Sequence, residues 1–100
     1  MLKHVILWKL KEDLSETQKK EVAKGIKENL EALVGVVPGL VSLKIITEAL
    51  SSSTADVMLD STLENAEALK GYQTHPAHVN AADTYVRPYT EVRMCMDYEG

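Results

Sequence analysis

Three histidines occur in this chain of 100 residues, His4, His75 and His78, and two of them bracket Pro76-Ala77. Histidine exchanges its proton near neutral pH, so acid–base chemistry is the first reading of the cluster. His78 falls in the first turn of a helical segment that starts at Pro76, and Ala81, Ala82 and Tyr85 follow at spacings that share its side. The small alanines leave space beneath that helix. Tyr72 closes the preceding helical segment and can meet His78 across the break, as a phenol hydrogen-bonded to an imidazole. His4, on the Trp8 side of the first strand, can point into the same space. An apolar cavity holding these groups suits a small, flat, partly apolar molecule, with the His-Tyr pair abstracting or donating a proton. The candidate catalytic residues are therefore Tyr72 and His78, and the candidate ligand-binding residues are His4, Ile6, Trp8, Leu59, His75 and Tyr85.

Plainer roles compete with this one. A histidine beside a proline at a helix start often caps the helix, and a tyrosine at a helix end often only reaches to water. Three imidazoles, His4, His75 and His78, can chelate a metal, but no carboxylate converges on them and no zinc motif is matched, so no metal is expected. Gly35 and Gly39 do not form a phosphate-cradling loop, and no cofactor is expected. Cys95, with no histidine near it in sequence, reads as a buried, inert thiol, and Met94 and Met96 as packing residues.

The composition bounds the partners. Eleven Lys and Arg against fifteen Asp and Glu leave a net charge of −4 with no basic run, which argues against nucleic acid. The apolar stretches are interrupted before they reach membrane-spanning length. The block Val5-Ile6-Leu7-Trp8 is too short for a signal peptide, and a single cysteine agrees with a reducing compartment, so a cytoplasmic location is expected. At this length one domain, residues 1–100, is expected, small enough to gain core by association.

The elements that must position the candidate residues follow from periodicity. Leu2 to Leu10 reads as a strand with His4, Ile6, Trp8 and Leu10 on one face and Val5, Leu7 and Lys9 on the other. Ser15, with Gln18 three residues on, opens a helix to about Val34. Pro38-Gly39 turns the chain into a strand from Leu40 to Thr47, with Val41, Leu43 and Ile45 on one side. Ala55 to Leu63 is a further strand, in which Asp60 is awkward if its face is buried. Asn65 caps a helix that is interrupted before His75-Pro76 and resumes until Arg87-Pro88 stops it, and Glu91 to Tyr98 is the last strand. The order β-α-β-β-α-β is that of an α+β, ferredoxin-like protomer, a four-stranded antiparallel sheet with helices on one face. The uncovered face would carry Val5, Leu7, Val41 or its neighbours and residues of the last strand, too apolar to leave as one exposed patch. Pairing of two sheets covers it, so a homodimer through the sheet face is expected.

The opening Lys3-His4-Val5-Ile6-Leu7-Trp8-Lys9-Leu10-Lys11, the Pro38-Gly39 pair, the run Tyr72-Gln73-Thr74-His75-Pro76-Ala77-His78 and the closing Asp97-Tyr98 follow one another as in a known family. Over almost its whole length the chain resembles the stress-responsive dimeric α/β-barrel domain family. The resemblance implies a homodimer whose two sheets close into a barrel. One branch of that family comprises cofactor-independent plant polyketide cyclases, whose acid–base tyrosine and histidine correspond to Tyr72 and His78, with His4 lining the same pocket. The chain departs from that branch at Leu63, often aromatic in the family, in lacking phenylalanine, and in its loop from Ala49 to Thr54. The resemblance thus carries over the pair and not the substrate.

Three functions follow as expectations. The first is a homodimer that binds a small hydrophobic or aromatic molecule between helices and sheet. The second is a cofactor-independent, cyclase-like lyase with His78 as base, Tyr72 at the carbonyl oxygen and His4 assisting. The third is a non-catalytic stress protein whose dimers assemble further.

Overall fold

A computed structural model describes all residues, Met1 to Gly100. Strand β1, Leu2–Leu10, lies at the centre of a four-stranded antiparallel sheet. It is flanked by β3, Val57–Leu63, and β4, Thr90–Glu99, while β2, Leu40–Ile46, lies outside β3. Helix α1, Glu16–Glu31, and the pair α2, Ala66–Thr74, and α3, Pro76–Ala81, cover one face. The protomer is ferredoxin-like, as the element order predicts. No helix is long and apolar enough to cross a membrane.

Local chemistry explains the element ends. Ser15 Oγ accepts from the Gln18 amide at 3.1 Å while Gln18 Oε1 accepts from the Ser15 amide at 2.8 Å, so two helix-end donors are satisfied reciprocally. Asn65 caps α2 with a single bond, its side-chain oxygen accepting from the Ala68 amide at 2.9 Å. Gly39 has φ +81°, and a Cβ there would stand 2.5 Å from the Ala68 Cβ, so both conformation and space demand glycine at the turn into β2. The expected α1 is shorter than its periodic pattern, since turns replace it after Glu31.

The alternation of β1 divides the molecule. His4, Ile6, Trp8 and Leu10 are buried under the helices against Ile26 and Leu30 of α1 and Leu69 and Tyr72 of α2. Lys3, Val5, Leu7 and Lys9 face the other way, opposite Tyr98, Met96, Met94 and Val92 of β4. Met94 and Met96 are 65% and 68% exposed, and with Leu7 and Ile46 they form the apolar, uncovered face. The β2 contribution differs from the simple alternation. A register shift between Leu40 and Ser42 leaves Val41 and Ser42 both exposed, so Leu40, Leu43 and Ile45 reach the core and Ile46 joins the bare side. Asp60 is half-buried on that side, where the Lys3 ammonium at 2.9 Å compensates its charge although the same oxygen accepts no hydrogen bond.

One ion pair ties α1 to the sheet. Glu31 accepts from Lys27 Nζ at 2.8 Å and from the Ile45 amide at 2.9 Å. Burial pushes the Glu31 carboxyl up, but these two bonds and the Lys27 and Lys44 charges outweigh it, and the carboxyl titrates below its ordinary 4.5. A depressed folded value means that the stabilisation is fully present above 4.5 and is lost as the pH falls through the folded value. Glu31→Gln, which keeps an acceptor for Ile45, should cost about 0.5–1 kcal/mol at pH 7. In urea titrations that difference from the wild type should close as the pH is lowered below the carboxylate range.

Candidate functional site

The helix layer and the sheet leave a cavity of about 80 Å³ where α2 breaks before α3. Its inner wall is apolar and buried, formed by Ile6, Trp8, Leu30, Leu59, Ala82 and Val86. Tyr72, His78 and His4 enter that wall, and Gln73, Arg87 and Arg93, all exposed, rim it beside Thr90. The volume is well below the roughly 300–1,000 Å³ of typical ligand pockets, so it takes a few-atom molecule or the reacting end of a larger one.

Each polar group has a distinct environment. Tyr72 is 1% exposed, and its hydroxyl has no hydrogen-bond partner in the protein. Burial pushes its ionisation well above the usual phenol range, against a small opposing effect of the Arg93 charge, so it stays a neutral O–H donor. The Tyr72 and His78 rings meet at 4.2 Å between centroids and 42° between planes. They touch through their faces, and the expected phenol–imidazole hydrogen bond is not formed. The reason lies in the break at His75, which sets the two rings side by side.

His78 Nδ1 donates to the Gln73 carbonyl at 3.3 Å, because a carbonyl only accepts. Nε2 is then the basic nitrogen. Burial holds the His78 imidazolium below its ordinary 6.5, and the charges of Arg87 and Arg93 lower it further against the raising effect of the Gln73 bond. At neutral pH His78 is a free base.

His4 lies on β1, 3% exposed, with its ring 6.0 Å from that of Tyr72. Its Nδ1 donates to Asp97 Oδ1 of β4 at 2.5 Å. That bond fixes the ring and leaves Nε2 as the acceptor nitrogen. Ser61, directly across the ladder and fully buried, donates to the His4 carbonyl at 2.8 Å. Asp97 is the neighbour of the candidate site that spacing did not single out. Its one signal was alternation: it stands on the opposite side of β4 from Met94 and Met96, which points it to the helix side where His4 also faces.

Of the expected lining, His4, Ile6, Trp8, Leu59, Tyr72 and His78 share the cavity. His75 and Tyr85 stand outside it. His75 Nδ1 accepts from the Ala77 amide at 3.1 Å, so its ring caps α3. Tyr85 lies instead in a groove beside Leu14, Val22, Gly25 and Tyr89. The chain from Ala82 to Val86 is a π-helical turn, and its wider winding rotates Tyr85 away from the His78 side that a regular helix would give it. The segment then tightens into a 3₁₀ turn, Arg87–Tyr89, so Arg87-Pro88 does not end helical structure as expected.

Two further expectations are corrected. Cys95 is exposed, because β4 is an edge strand that the helices do not cover. Partial desolvation and the adjacent Asp97 carboxylate push its thiol up, so it is a poor nucleophile. A carboxylate does converge on a histidine, namely Asp97 on His4, and with Cys95 Sγ their donor atoms lie within 4.8 Å of one another. These donors suit a borderline cation, although His4 Nδ1 is already committed to Asp97.

The sequence matches the model of the family described as the stress responsive A/B barrel domain over residues 2–100. The chain belongs to that family. It is 30% identical to olivetolic acid cyclase of Cannabis sativa over 97% of this chain and 94% of the cyclase. A dimeric ferredoxin-like protein of unknown function from Bacteroides fragilis superposes with a TM-score of 0.92 at 31% identity, over 99% of this chain and 95% of that one. Hydroxynitrile lyase from Passiflora edulis shares the fold, with a TM-score of 0.72 at 16% identity over 97% of this chain and 90% of the lyase.

The depressed His78 value has a measurable consequence. Its contribution to stability is full above 6.5 and is lost as the pH falls through the folded value. An NMR titration should place His78 below the usual histidine range. Denaturation curves should show a loss of stability on acidification through that range that His78→Gln flattens.

Proposed function

We propose that the protein is a homodimer that binds a small, partly apolar molecule between its helices and its sheet and transfers a proton on it without a cofactor. The observation that carries this reading is the Tyr72 hydroxyl, 1% exposed and without a protein partner, between two histidines whose Nδ1 atoms are both engaged elsewhere. A buried hydroxyl left without a hydrogen bond costs about 1–3 kcal/mol, so this group is best explained by an oxygen of whatever enters the cavity.

The chemistry follows from the protonation states. His78 Nε2 takes a proton from a carbon next to a carbonyl, and the electron pair moves onto the carbonyl oxygen, where Tyr72 O–H donates to the developing enolate. The enolate carbon then attacks a second carbonyl of the same molecule, and the resulting alkoxide recovers its proton from the His78 imidazolium. The reverse course breaks the carbon–carbon bond. His4, held by Asp97, offers Nε2 to a further polar group of the ligand. The named relatives, a cyclase and a lyase, support a reaction of this class, and the 30% identity to the cyclase extends over 97% of this chain.

The dimer reading rests on the uncovered sheet face, where Leu7, Ile46, Met94 and Met96 are exposed, and is supported by the dimeric Bacteroides relative. Light scattering should give a mass near twice 11.1 kDa, and Met96→Asp, which puts a charge at the centre of that face, should shift it to the monomer. A wild-type mass near 11.1 kDa at all concentrations would overturn the dimer.

The site reading is tested by Tyr72→Phe and His78→Ala, assayed for condensation and retro-condensation of small dicarbonyl compounds. Both should fold, and Tyr72→Phe should keep its stability within about 1 kcal/mol because no protein hydrogen bond is lost. Loss of one acid or base typically slows such a reaction by roughly 10²–10⁴-fold. Wild-type turnover that persists in both variants would sink the assignment.

A further inference from the structure

Around the cavity, the charges are unbalanced. No acidic residue lines it, while two arginines do, Arg87 and Arg93. Arg87 is already paired with Asp83, one helical turn away on the π segment. Arg93 forms neither a salt bridge nor a hydrogen bond within the chain. It stands on β4 directly opposite Trp8 of β1, on the side that faces the cavity. Of the acidic residues on that side of β4, Asp97 is four strand residues away, about 13 Å along the chain, and is taken by His4, while Glu99, opposite Leu2, lies farther still. Arg93 is thus an uncompensated guanidinium at the rim of an apolar hollow.

From this we propose that the ligand is a small organic acid whose carboxylate is held by Arg93. Its apolar part lies against Ile6, Trp8 and Leu59, and its reacting end reaches Tyr72. A guanidinium presents a planar fork of N–H donors that matches a carboxylate, and it makes its strongest bonds where water is partly excluded. Arg93 itself is exposed at the open rim, and the buried apolar floor beside it keeps water from one side of such a contact. The Arg93 charge is also felt at Tyr72 and His78, and a bound carboxylate would offset it there. Thr90, on the same rim, offers a hydroxyl to the second carboxylate oxygen.

The inference rests on the cavity being the ligand site, and the two fail differently. Trp8 is the only tryptophan and is 5% exposed in the cavity wall, so its fluorescence reports binding there, as do the ring protons of His4 and His78. Two isosteric pairs serve as probes, propionate with propionamide and benzoate with benzamide, at constant ionic strength. Each acid should bind the wild type about tenfold more tightly than its amide. Arg93→Gln should abolish that preference by weakening each acid far more than its amide, and Arg93→Lys should restore part of it. Acids and amides that bind equally well would overturn the carboxylate and leave the cavity standing. A preference that survives in Arg93→Gln would overturn the role of Arg93. Arg93→Gln that only weakens the dimer in light scattering, with the preference intact, would place Arg93 at a subunit contact and also overturn it. If neither acid nor amide perturbs Trp8, His4 or His78, the cavity reading falls and this inference with it.

Discussion

The structure depends on the covering of one sheet face only. Strand β1 is hydrogen-bonded on both edges, and its alternation sends His4, Ile6, Trp8 and Leu10 beneath the helices and Lys3, Val5, Leu7 and Lys9 to the open side. A slip of one residue would exchange these sets and bury two lysines. The same constraint accounts for the site and for the surface. The helix-facing set brings a histidine into the core, and the open set creates the apolar face with β4.

The cavity exists because the helix layer is not continuous. Proline at the start of α3 forces a break after α2, which His75 caps, and the π turn that follows widens the winding over Ala82 and Val86. The space opens where these irregularities sit above β1 and β4. Irregular helix is less stable than regular helix, and it persists here because its own Ala82 and Val86 are buried. Local stability is exchanged for a shaped interior.

Three similar groups acquire three different characters within that interior. Tyr72 is held neutral by burial, His78 is held neutral by burial and surrounding cations, and His4 is oriented by a carboxylate from the neighbouring strand. A neutral donor, a neutral imidazole and an oriented imidazole arise from two residue types. Their separation is electrostatic.

Element order, the capping box at Ser15, the turn at Gly39, the break at His75-Pro76 and the two faces of β1 were legible because they depend on neighbours within a turn of helix or two residues of strand. The pair Tyr72 and His78 was legible for the same reason, as both flank one break. What spacing did not show comes from long-range pairing. The bond between His4 and Asp97 joins residues 93 apart and follows from the register of β1 on β4. Exposure of Cys95 follows from β4 being an edge, and displacement of Tyr85 from one extra residue of winding. The exposed Val41 follows from a bulge set against β3. The sequence alone determined which elements form, which faces are apolar and which side chains are capable of chemistry, because those properties are local. Only the tertiary structure decided which of those side chains share a cavity and what charge each carries, because register and burial belong to the packed chain as a whole.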